Sequence, residues 1–197
     1  MTTFSGWFRA ALFSLLAVVL ASCAAPDPNA PLPATKPIGD FKLGILAVSA
    51  EGVQKGPMSR DATPEELQAA LETELRRRFG SLTGSKFYNM SVTINAYALA
   101  RVGVPLLFTP SSAMITTVNF WDDAKQKIIL DEDKRFTVLE KLTGKSFVGS
   151  GLTMTREEQL HEIVMRTADR IEAYMREHED AFRATAEEKA AAKADVQ

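Results

Sequence analysis

From residue 41 onward the spacing of apolar and polar positions changes period several times, and each change predicts an element. Phe41-Lys-Leu-Gly-Ile-Leu-Ala-Val48 is a short, mostly apolar run without helical length or caps, which predicts a buried strand. Thr63-Pro64-Glu65-Glu66 then supplies an N-cap, a proline at the first helical position and a glutamate at the third, so a helix starts there. Leu67, Ala70, Leu71, Leu75 and Phe79 follow at helical spacing, and Gly80 ends the run. Met90 to Val102 alternates, with Val92, Ile94, Ala96, Ala98, Ala100 and Val102 on one face and Ser91, Thr93, Asn95, Tyr97 and Arg101 on the other. Ala113 to Trp121 and Ile128 to Val138 read as two further strands, joined as a hairpin through residues 122–127. Thr155-Arg-Glu-Glu158 repeats the capping pattern, and Leu160, Ile163, Val164, Thr167, Ala168, Ile171 and Met175 form the inward stripe of a second helix.

The order β-α-β-β-β-α, with two amphipathic helices and one apolar sheet face, predicts an α+β two-layer sandwich. Its sheet is expected to be four-stranded and mainly antiparallel, covered on one face by the two helices. This single domain is placed at 38–182. Ahead of it, residues 23–37 hold five of the nine prolines and little to pack, which reads as an extended tether. Behind it, 183–197 is Ala, Glu and Lys with one valine, read as a frayed helical extension or a disordered tail.

The first 22 residues carry one charge, Arg9, and then run apolar from Ala10 to Ala21 with Ser14 as the only interruption. That is shorter than the ~20 residues a membrane span needs, and it has the length of a signal-peptide core. The segment closes on Leu20-Ala21-Ser22-Cys23, which resembles the bacterial lipoprotein signal, an aliphatic residue, two small residues and a cysteine. The resemblance implies cleavage between Ser22 and Cys23 and acylation of Cys23, the only cysteine in the chain. Two or three acyl chains give stable attachment where one gives only marginal binding. Ala24 lacks the aspartate that favours inner-membrane retention in Gram-negative cells, so the implied address is the outer membrane, facing the periplasm. The whole organisation resembles small periplasmic lipoproteins that include the lipopolysaccharide-assembly lipoprotein family. Val118 to Leu130 is similar to a strand, Asp-Ala-Lys-x-Gly-Lys hairpin, strand segment recurring among them, with Gln126 where glycine is usual.

A balance of 23 basic against 25 acidic side chains argues against a strongly basic nucleic-acid binder. One cysteine excludes an intramolecular disulfide, and no cofactor or metal is expected from two histidines lying 17 apart on one predicted helix. His161-Glu-Ile-Val-Met165 lacks the second ligand of the zinc-protease motif. Thr143-Gly-Lys-Ser146 lacks the first glycine of a phosphate loop, since position 139 is leucine. Ser150 sits in Gly-Ser-Gly rather than a nucleophile elbow. Asp122/Asp123 and Asp131/Glu132/Asp133 are read as hairpin solvation, and Arg76-Arg77-Arg78 as cations favoured by the helix C-terminus, with anionic lipid or peptidoglycan as the functional alternative.

The most unusual stretch is Gly103-Val104-Pro105-Leu106-Leu107-Phe108-Thr109-Pro110, apolar where polar turn residues are expected. Either it folds over an open end of the core, or Val104, Leu106, Leu107 and Phe108 contact a partner or lipid. The expected role is a non-enzymatic, membrane-anchored accessory or binding module of the cell envelope, with an envelope protein or lipid as partner. Two alternatives stand beside it: a subunit of a secretion or transport assembly, and an envelope hydrolase using acids of 122–133 and Ser150.

Overall fold

Strand β1 (Phe41–Ser49) grows from the apolar run at 41–48, and helix α1 (Pro64–Phe79) from the capping sequence at Thr63. Between them a two-residue strand, β2 (Gln54–Lys55), interrupts the loop around Gly52 and Gly56. Then come β3 (Lys86–Ala98), β4 (Ala113–Asp122), β5 (Lys127–Leu139), α2 (Arg156–Glu177) and a 3-10 turn at Glu179–Phe182. This computed structural model describes residues 36–100, 112–140, 154–186 and 188. The chain divides into Met1–Pro31 and Leu32–Gln197, and the elements above all lie in the second unit.

The fold is α+β, with helices on one side of a mostly antiparallel sheet, as expected, but the sheet has one strand more than expected and is not purely antiparallel. Its order is β1-β3-β4-β5 with β2 also paired to β3, so it has five strands. Both β1 and β2 run parallel to β3, while β3, β4 and β5 are antiparallel, so the sheet is mixed. The cause is α1: a helix between two neighbouring strands returns the chain to its starting end, which makes the pair parallel. The hairpin pattern that the sequence displays most clearly belongs to β4 and β5.

Both helices begin with the reciprocal cap that their sequences predict. Thr63 Oγ1 accepts from the Glu66 amide and Glu66 accepts from the Thr63 amide, and Thr155 and Glu158 do the same. Leu67, Leu71, Leu75 and Phe79 of α1, and Leu160, Ile163, Val164, Ala168, Ile171 and Met175 of α2, are buried against the sheet. The two helices are stapled by Arg78, itself buried, which reaches Glu74 on its own helix and Asp169 and Glu172 on α2.

The alternation assigned to 90–102 is corrected. β3 begins four residues earlier, and a bulge between Ile94 and Ala96 shifts its register with β4. An inserted residue flips every side chain beyond it to the other face. Tyr97, expected toward solvent, is therefore buried, and its hydroxyl bonds both the amide and the carbonyl of Ala62. β5 carries a larger irregularity: Leu130, Asp131, Glu132 and Asp133 lie opposite Asn119 alone, with Leu130 and Asp133 at positive φ. Asn119 fastens this bulge by exchanging two hydrogen bonds with Asp133. In the β4–β5 turn Gln126 has φ 52°, the left-handed conformation glycine adopts more easily, and its side-chain Nε2 donates to the Asp123 carbonyl.

Candidate functional site

The two ends of the sheet differ in what they present. At one end the chain enters: the Lys36 and Pro37 carbonyls accept from Arg176 at the end of α2, and Ile38 is fully buried. Gly39, at φ 53°, passes so close to the Phe182 carbonyl that a side chain would collide with it. Phe182 in turn packs against Phe41, Tyr88 and Phe120, with ring centroids 5.4–5.5 Å apart. The ends of β3 and β5 and the starts of β4 and α2 gather at the opposite end. There the Ala100 amide donates to Ser112 Oγ, the Glu140 amide to the Ser112 carbonyl, and Arg60 to the Met154 carbonyl.

Close to the entry end lies a buried charge cluster. Lys86 Nζ is 2.7 Å from Asp122 Oδ2 and 2.5 Å from Glu188 Oε1, with Lys125 at the margin. Burial opposes the Lys86 charge, yet its hydrogen bonds to the two carboxylates hold its pKa above the ordinary lysine value. The same hydrogen bond from Lys86, aided by the Thr185 amide, pulls Glu188 down to about 2. Burial pushes the neighbouring Tyr88 hydroxyl up to about 12. One sequence reading is corrected here. Asp122 is fully buried rather than solvated, because its turn folds against Lys86. The described start of the 183–197 segment, read as a frayed helical extension or a disordered tail, is tied to the domain: the Ala184 amide donates to Asp40 Oδ2, Thr185 and Glu188 cap one another, and Glu188 reaches Lys86.

The other titratable candidates are engaged separately. Asp123 accepts from Asn89, Asp131 pairs with Lys134 and accepts from the Tyr174 hydroxyl, and Asp133 bonds Asn119. Arg76 pairs with Glu72, Arg77 with Glu74, and Arg78 with the α2 acids, so the arginine run is taken up in ion pairs. His161 is exposed on α2, and His178 Nδ1 lies 2.9 Å from the Tyr174 carbonyl. Among the described residues no group of three His, Cys, Asp or Glu side chains is placed to hold a metal. An open cleft of about 570 Å³ lies between the starts of α1 and α2, lined by Arg60, Asp61, Thr63, Glu66 and Arg156. Arg156 spans it, bonding the Asp61 carbonyl and pairing with Glu66. Cys23, Ser22, Ser146, Ser150 and the apolar segment with Val104, Leu106, Leu107 and Phe108 lie outside the described residues.

The sheet face away from the helices is the largest feature that sequence reading missed. Its middle is polar, with Ser91, Thr93, Asn95, Thr117, Asn119 and Arg135, and Thr117 bonds Asn95 across the strands. Toward the entry end it turns apolar. Trp121 of β4 stands directly opposite Ile128 of β5, and both face outward because Phe120 and Asp122 face in. Phe87 is 49% exposed with Lys42 Nζ 4.4 Å over its ring, and Ile45, in the β1 bulge with its amide bonded to Asn89, is 68% exposed. Leu139, 63% exposed, closes the far end of the face. The available signal was Trp121, a large ring at an odd-numbered position of a strand whose even-numbered positions face the core.

The described residues thus form an α+β domain with one helix-covered and one open sheet face. No protein-family model matches the chain, and no curated protein matches it. Among solved structures it is similar to a DUF330-family protein from Xanthomonas campestris, at 11% identity over 70% of this chain and 90% of that one, with a TM-score of 0.37. It is also similar to PelC from Paraburkholderia phytofirmans, crystallised as a dodecamer (12% identity, 68% and 92% covered, TM-score 0.34). A third is a minor lipoprotein from Acinetobacter baumannii (13% identity, 66% and 93% covered, TM-score 0.27). Identity and superposition this low assign no function. No helix among the described residues is long and apolar enough to cross a membrane.

Proposed function

We propose that this chain is a lipid-anchored accessory module of the cell envelope, which binds a partner without catalysing a reaction. The observation that carries the reading is the open sheet face, which bears Phe87, Ile45 and Leu139, three of the four large apolar side chains exposed among the described residues. The sequence adds the anchor: one cysteine, at the end of Leu20-Ala-Ser-Cys23, followed by a proline-rich stretch. In this reading Cys23 carries the acyl chains and holds the domain on the periplasmic side of the outer membrane. The finer likeness to the lipopolysaccharide-assembly lipoprotein family, carried by that motif and the hairpin at 118–130, belongs to the same proposal. Val104, Leu106, Leu107 and Phe108 are the proposed partner- or lipid-contacting residues.

The test is metabolic labelling with palmitate, envelope fractionation, and crosslinking pull-down of the full-length protein beside Cys23→Ala and a Leu106→Ser/Leu107→Ser/Phe108→Ser variant. Label and outer-membrane recovery should vanish with Cys23→Ala. Capture of a specific envelope protein should vanish with the triple variant at unchanged Tm. Label that persists in Cys23→Ala, or a triple variant that unfolds, would overturn the corresponding half of the reading.

A further inference from the structure

The apolar patch at the entry end of the open face has a position that bears on what covers it. Trp121 and Ile128 form a cross-strand pair there, and Phe87 stands nearby with the Lys42 ammonium above its ring. Indole and phenyl rings bordered by a lysine match the boundary between headgroups and acyl chains, where the rings enter and the ammonium group stays wet. The patch lies where the tether delivers the domain. Lys36 is held at the same end of the sheet, and Lys42 is only six residues farther along. Cys23 and Lys36 are thirteen residue steps apart, a covalent reach of at most about 45 Å. A lipid anchored through Cys23 therefore keeps a bilayer within range of this end at all times.

We infer that the patch formed by Phe87, Trp121, Ile128 and Ile45, with Lys42, rests on the bilayer that holds the chain's own anchor. The inference depends on the anchor reading above. It gives the domain a preferred pose, with the entry end of its open face down and the polar middle of that face clear of the headgroups. Acids bordering the patch are engaged: Asp123 accepts from Asn89, and Asp133 is bonded to Asn119, two positions before Trp121 on β4.

Tryptophan usage makes the pose measurable. The chain has two, and Trp7 lies in the segment that cleavage before Cys23 removes, leaving Trp121 as the only reporter. The full acylated protein is reconstituted into phosphatidylethanolamine–phosphatidylglycerol vesicles with or without brominated phosphatidylcholine, after mass spectrometry of its N-terminus. Trp121 emission should fall about twofold with bromolipid, as for an indole at headgroup depth, and should be shielded from aqueous iodide. An Ile45→Ser/Phe87→Ser variant, altered only at exposed positions, should keep its circular dichroism and Tm while losing most of that quenching. Acylated protein whose Trp121 responds to iodide and not to bromolipid overturns the inference and leaves the anchor intact. Shielding from both quenchers also overturns it, since a second copy or another protein then covers the face. An unacylated Cys23 overturns the anchor reading, and the bilayer pose with it.

Discussion

Lys86 shows how one residue can join three parts of the chain that the sequence separates. Its ammonium is buried, it meets Asp122 from the β4–β5 turn and Glu188 from beyond α2, and it lies 5.5 Å from the Tyr88 ring centroid. A buried ion pair adds modest net stability when complete, but removing one partner strands the other charge. Lys86→Met should therefore lower stability by about 3 kcal/mol, and adding Asp122→Leu should restore much of it, both read from urea midpoints. Glu188 gives this cluster a pH signature. Its pKa is about 2 in the folded state against an ordinary 4.5, so the unfolded chain takes up the proton first. The stabilisation it contributes is complete above about pH 4.5 and is lost as the pH falls toward 2. In Glu188→Gln the midpoint should be lower at neutral pH, and its decline between about pH 5 and 3 should be shallower than in the wild type. Equal slopes for the two proteins would show that Glu188 leaves Lys86 in solution.

At the scale of elements, the helices follow from local rules and the sheet does not. Each helix carries its start signal within four residues, so Thr63→Ala and Thr155→Ala should each cost about 1 kcal/mol. Ser replacements should retain most of the stability, and thermal melts at neutral pH would separate the two cases. The inward stripe of α2 was legible for the same reason, since a period of 3.6 survives any tertiary context. The direction of β1 was not, because pairing depends on which strand the crossover returns to, and the 41–48 run is equally apolar in either orientation. The face of Tyr97 was lost to a single inserted residue at the bulge, which leaves no mark in composition. Asp122 was misplaced because an acid beside a turn reads as solvated unless its partner is known. That partner, Lys86, lies 36 positions away in the chain.

On the scale of the molecule, the domain is polar from end to end. The chain enters beside Phe41, Lys86 and Phe182, whereas Ala100, Ser112, Glu140 and Met154 gather at the other end of β3, a strand of 13 residues and so about 40 Å long. The open face links these ends, with its aromatic patch near the entry and Leu139 at the far side. If the bilayer takes the entry end, the segment between Arg101 and Ser111 attaches at the end of the domain away from it, so lipid contact and protein contact become separable functions. The Leu106/Leu107/Phe108→Ser variant should then lose partner capture while Trp121 remains quenched by bromolipid. Ile45→Ser/Phe87→Ser should show the reverse, weakened quenching with capture retained as long as Cys23 keeps the protein on the membrane. Loss of both properties in either variant would mean that one surface serves both contacts, and the pose would have to be turned so that the segment and the patch meet the same partner.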